Sequence, residues 1–85
     1  MAAGMRGDSY FARLGRIQVR LVAYRPSLEP LPEGHIRVVV QSIQDGEPIV
    51  EDPICTVECP TQEFEQGLAI SRLEGWEITP WPVSA

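Results

Sequence analysis

Lysine and asparagine are both absent from this chain of 85 residues, and histidine occurs once. Without lysine, the strong side-chain cations are all guanidinium groups, planar and permanently charged, which favour bidentate pairing with carboxylates or phosphates. Both missing residues have A-rich codons, so their joint absence points to a GC-rich, bacterial genome. No apolar run approaches the roughly 20 residues of a membrane helix. The first residues, interrupted by Arg6, Asp8 and Arg13, lack the apolar core of a signal peptide, and the expected location is cytoplasmic. The glycines are dispersed, and none forms GxxxxGK or GxGxxG, so no phosphate-cradling loop is encoded.

Cysteine is also scarce. Cys55 and Cys59 form a CxxxC, not the CxxC of redox or zinc sites. On a straight strand they share a face with Val57 but lie about 13 Å apart at roughly 3.3 Å per residue. A disulfide needs Cα atoms within about 7 Å, so only a bend at Cys59 would permit one. Both are read as small core residues. With His35 they make three candidate zinc ligands but no second short-spaced pair, and neither a metal nor a cofactor is expected.

What the chain does contain is divided by sign. Residues 1–37 hold six arginines and three acids, a balance of +3, while residues 38–85 hold one arginine and nine acids, a balance of −8; together they give the net −5. Either the halves neutralise each other within a fold or a self-assembly, or one half serves a charged partner. A hydrophobic content of 44% and a charged content of 22% suit a globular protein. A domain this small buries roughly 60–65% of its unfolded surface, leaving a thin core that dimerisation would relieve.

Along the chain, residues 1–8 read as a flexible lead-in to a single domain over 9–85. Asp8 or Ser9 can cap a helical turn holding Tyr10, Phe11 and Leu14, ended by Gly15. A strand over 16–25 follows, with Ile17, Val19, Leu21 and Ala23 alternating against Arg16, Gln18, Arg20, Val22 and Tyr24. Three prolines make residues 26–34 an irregular loop. His35–Gln44 is a central strand, with valines on both faces. Asp45-Gly46 favours a two-residue type I′ turn that sets Gln44 opposite Glu47. In that register Pro53 would break the ladder opposite Val38, so the pairing must shift near Glu51–Pro53, by a bulge or by a strand that stops and restarts. The segment Ile54–Cys59 is expected to be the better packed.

Pro60 at a first helical position and Glu63 and Glu65 in the opening turns start a helix over 60–74, which Gly75 ends. Phe64 and Leu68 form one stripe, whereas Ala69, Ile70 and Leu73 point elsewhere, so the helix should be covered on two sides. Trp76, Ile78 and Thr79 can form a last strand before the extended Pro80-Trp81-Pro82 tail over 80–85. The predicted architecture is α+β: an antiparallel sheet of three to four strands in β-β-β-α-β order, with one helix on its apolar face. Its predicted core is Ile17, Val19, Leu21, Ile36, Val38, Val40, Cys55, Val57, Phe64, Leu68, Leu73 and Trp76.

No set of residues forms a catalytic apparatus. His35 has no spaced nucleophile or acid and reads as a solvated strand-end residue. Glu47, Glu51, Asp52, Glu58, Glu63 and Glu65 follow no EF-hand pattern and read as a solvated acidic face. The Arg6-Gly7-Asp8 tripeptide is a chance match. Arg16, Arg20 and Tyr24 on one strand face, with Arg37, could bind single-stranded nucleic acid by charge and stacking. A sequence pI near 4.7 weighs against this, and pairing with the acidic half is the alternative. Trp81, between prolines, suits an interface anchor across a subunit boundary, with packing on its own chain as the alternative. The sequence therefore leads to a non-enzymatic protein–protein interaction module, an adaptor, regulator or inhibitor that self-associates as a homodimer. Its partner-binding residues would be Arg16, Arg20, Tyr24, Arg37, Ile70 and Trp81. The alternatives are a nucleic-acid binder using the arginine and tyrosine face, and a small thiol-dependent enzyme using Cys55, Cys59 and His35.

Overall fold

A computed structural model describes residues 7–81. The elements run β1 (Gly7–Leu14), β2 (Ile17–Tyr24), β3 (His35–Gln44), β4 (Glu47–Pro48), β5 (Cys55–Pro60), α1 (Thr61–Leu73) and β6 (Glu77–Pro80). They make an α+β fold whose antiparallel sheet has the order β4-β3-β2-β1-β6, with β5 also paired to β3. The sheet is thus wider than the three to four strands predicted, and the extra strand is β1. Residues 1–6 and 82–85, which hold most of the predicted flexible lead-in and most of the tail, lie outside the described residues.

β1 replaces the expected helical turn. Tyr10, Ala12 and Leu14 face the helix while Phe11 and Arg13 face away, so apolar side chains on both faces hid the period of two. Gly15, predicted as a helix cap, is the first residue of a two-residue hairpin turn. Its φ of +60° with an ordinary Arg16 is the pattern of a type II′ turn. At the next hairpin Asp45 and Gly46 both have positive φ (55° and 80°), as type I′ requires, and Gln44 opposes Glu47.

The register does shift after that turn. Residues 49–54 loop out of the edge, between an Ile49 N–H donated to Ser42 O and an Ile54 N–H donated to Val40 O. Val40 then opposes Cys55, where an unbroken hairpin would have placed Glu51, a slip of four residues. Because the slip is even, each side chain keeps its face. Pro53 falls in the loop, where no ladder bond is lost. β5 is well paired but poorly packed: Cys55, Thr56, Val57 and Glu58 are exposed because the strand lies at an edge that α1 barely covers.

Since all neighbours are antiparallel, β5 and β6 run parallel to each other at opposite edges, and α1 is the connection between them. The path from β5 to β6 crosses four strand spacings, roughly 19 Å. A helix of 13 residues rises roughly 20 Å, so α1 spends nearly its whole length crossing the strands. Its ends are tied. Thr61 donates from N (2.8 Å) and Oγ1 (3.1 Å) to Gly34 O, and Arg72 Nη2 donates to Ile78 O at 3.3 Å. Pro60 precedes the first turn as the N-cap residue instead of starting it.

The core between helix and sheet is thin. Ala12, Val19, Leu68 and Ile78 are buried in it, with Tyr10, Leu21, Val40, Phe64 and Trp76 packed around them. Ala23 and Val38 are also buried. Of the predicted core, Ile17 (55%), Val57 (49%) and Leu73 (88%) are exposed. Cys55 is exposed as well. The sequence pattern gave these residues the correct strands or helix, but the single helix is too small to cover them.

The proline-rich loop is held from within. Arg25 donates to the carbonyls of Leu31, Pro32 and His35, the last at 2.8 Å, so one guanidinium fixes a stretch that prolines keep from regular pairing.

Candidate interaction surfaces

Residues of the two charge halves pair within the chain at several points. Arg13 bonds Glu77 across the β1–β6 pair, and Arg37 donates from Nε and Nη2 to Glu58 Oε2 (3.1 and 2.7 Å) across β3–β5. Arg37 also reaches Glu29 in the proline-rich loop. Hydrogen bonding to Glu58, Tyr24 and Glu29 raises the Arg37 pKa above the usual guanidinium value.

The six partner-binding candidates do not converge on one surface. Arg16 sits in the β1–β2 turn, exposed, off the strand face it was assigned to. Arg20, Tyr24 and Arg37 lie on the sheet face away from the helix, and Ile70 lies on the helix, 55% exposed. Trp81 packs on its own chain. Its backbone N–H donates to Ser9 O, its ring centroid lies 6.3 Å from that of Phe11, and the Arg20 guanidinium carbon sits 5.2 Å from the Trp81 ring centroid. Arg20 and Gln41 are directly opposed residues on that face, and Arg20 Nε and Gln41 Oε1 are both buried without a hydrogen-bond partner. Arg20 is therefore engaged in packing, not held free as a cation.

The thiols and the histidine are separated by the sheet. Cys59 opposes Ile36 and Cys55 opposes Val40, which puts both sulfurs on the helix side, whereas His35 alternates to the other face. Both cysteines are unbridged; Cys55 is exposed and Cys59 half-buried. His35, at the start of its strand, is half-buried, with Nδ1 3.3 Å from Glu33 O. Among the described residues no three His, Cys, Asp or Glu side chains gather to hold a metal ion, and no helix is long and apolar enough to cross a membrane.

Two features on the helix side went unnoticed in the sequence. One is a cleft of about 440 Å³ between α1 and the sheet. Val40, Leu21, Val19, Ala12 and Ile78 form its floor across four strands, and Phe64, Gly67, Leu68 and Ser71 form its roof. Those four roof residues are one helical face at i, i+3, i+4 and i+7. The signal was present as an apolar stripe carrying Gly67 and Ser71 where bulky side chains would fill a core.

The other feature is an uncovered apolar area where the C-terminal end of α1 meets the first hairpin. Leu73 is 88% exposed, Ile70 55%, Ile17 55% and Leu14 37%. Leu14 Cδ1 lies 3.6 Å from where a Cβ on Gly75 would stand, which brings the hairpin against the helix end. Arg16 in the hairpin turn and Arg72 and Glu74 at the helix end are also exposed and carry both signs of charge. No known protein family, curated protein or solved structure matches this chain.

Proposed function

We propose that this protein is a non-enzymatic interaction module that pairs with a second copy of itself and serves as an adaptor, regulator or inhibitor of another macromolecule. The carrying observation is Leu73, almost fully exposed near the helix end that meets the first hairpin, with Ile70 on α1 and Leu14 and Ile17 on that hairpin also uncovered, in a protein whose own core is thin. A contiguous apolar area rimmed by polar groups is the anatomy of a protein interface. The rim favours a second copy. Arg16 in the hairpin turn and Arg72 and Glu74 at the helix end are all exposed, and in a two-fold contact each sign can meet its opposite. The nucleic-acid alternative draws less support, since Arg13 and Arg37 pair with carboxylates and Arg20 is stacked.

Light scattering on the native protein at tens of micromolar tests the pairing. The expected mass is twice 9.5 kDa, falling to the single-chain value in an Ile70→Glu/Leu73→Glu variant with unchanged circular dichroism. A native mass of one chain under those conditions overturns the proposal.

A further inference from the structure

We infer that the cleft under α1 is a binding site for the hydrocarbon chain of a single-chain amphiphile whose head group is uncharged or cationic. This is independent of self-association, because none of Leu14, Ile17, Ile70 and Leu73 lines the cleft.

The shape supports a chain. The floor runs from Val40 on β3 to Ile78 on β6, three strand spacings or roughly 14 Å. A space of about 440 Å³ drawn out over that length is a narrow slot. It falls within the roughly 300–1,000 Å³ of ordinary ligand sites, and its surface is overwhelmingly apolar. Apart from Ser71 and the indole of Trp76, its walls offer only hydrocarbon side chains and glycine.

Gly67 provides a second observation. Glycine inside a helix is unfavourable, and it usually persists where φ is positive or a neighbour comes too close. Neither holds here: Gly67 is not among the residues of positive φ, and a Cβ built on it meets nothing within 4 Å. Gly67 is exposed at the flank of the roof, and its missing side chain leaves that edge of the slot open. A long apolar side chain at this position can fold over that opening and close it.

The head group follows from the opening. Ile54, 59% exposed, is the lining residue at the outer edge, and it ends the loop that carries the exposed Glu51 and Asp52. With a net charge of −5, and with two carboxylates within three residues of Ile54, that end disfavours a carboxylate or phosphate head and favours a neutral or positive one.

The test uses the full chain carrying Trp81→Phe, so that Trp76, in the slot wall, is its only tryptophan. Titrating n-alkanols of increasing length should shift the Trp76 emission saturably. Each added methylene should tighten binding about fourfold, until the chain fills the roughly 14 Å slot and the gain stops. The carboxylate of equal length should bind more weakly. Gly67→Leu should abolish the response while the helix signal persists; if that variant fails to fold, Ser71→Leu serves in its place. Absence of a saturable shift, affinity that climbs with length without a plateau, or unaltered binding in a folded filled-slot variant each overturns the inference.

Discussion

Replacing Gly67 by alanine should make the protein more stable. In a helix interior glycine is less favourable than alanine by roughly 0.8–1.0 kcal/mol, because it surrenders more backbone freedom on folding. That gain is realised in full only if the new methyl group meets no obstacle, and around Gly67 there is nothing within 4 Å. The net effect is therefore about 1 kcal/mol of stabilisation, which in a domain of this size raises the melting midpoint by roughly 4–8 °C. Gly46→Ala supplies the opposing control. Its surroundings are equally open, yet its φ is +80°, a conformation costing an L-residue roughly 1–2 kcal/mol. Thermal unfolding followed by circular dichroism would place Gly67→Ala above the native protein and Gly46→Ala below it. A Gly67→Ala midpoint at or beneath the native value would mean that α1 lies too close to the sheet to leave a slot.

Tyr10 should impose an alkaline limit on stability. Partial burial, reinforced by Asp8 and Glu65 and opposed by Arg72, raises its hydroxyl above the ordinary 10.0. The unfolded chain then releases this proton first, so the contribution is intact below about pH 10 and declines as pH climbs through the folded-state value. Denaturant titrations of Tyr10→Phe should show a shallower alkaline decline than the native protein; identical slopes would rule out this role. A thiol reagent added to the native protein without reductant should modify two groups, exposed Cys55 quickly and half-buried Cys59 slowly. Finding none would mean that the two are bridged.

Much of the sheet was legible because its signals are local. The alternation in β2 and β3 and the Asp45-Gly46 turn each depend on only a few adjacent residues. Even the slip in register could be anticipated, since Pro53 cannot occupy a ladder site opposite Val38. The N-terminal strand was not legible. Its one decisive cue, Gly15 followed by Arg16, also suits a helix end, and only the pairing of Ala12 with both Val19 and Ile78 resolves the ambiguity. Burial was harder still. Ile17 and Val57 carry the correct period for a core and Leu73 belongs to the helix's second apolar side, but period specifies a face and not whether anything covers it. The same gap concealed the slot, because Gly67 and Ser71 look unremarkable until the other wall is in place.

The distribution of charge follows from the order of the strands. β1, β2 and the start of β3 come from the arginine-rich half and occupy the centre of the sheet, while β5 and β6 come from the acidic half and occupy its edges. Each edge is joined to the centre by one cross-strand pair, Arg37 with Glu58 on one side and Arg13 with Glu77 on the other. Exposed pairs of this kind contribute little to stability. They can still select among registers, and β5 needs that selection because the loop before it releases the strand from the hairpin. A slip of two residues would keep its valine on the helix side but put Thr56 or Pro60 opposite Arg37 in place of Glu58. The arrangement places opposite charges where pairing has to be specified, and it leaves the space beneath α1 free of them.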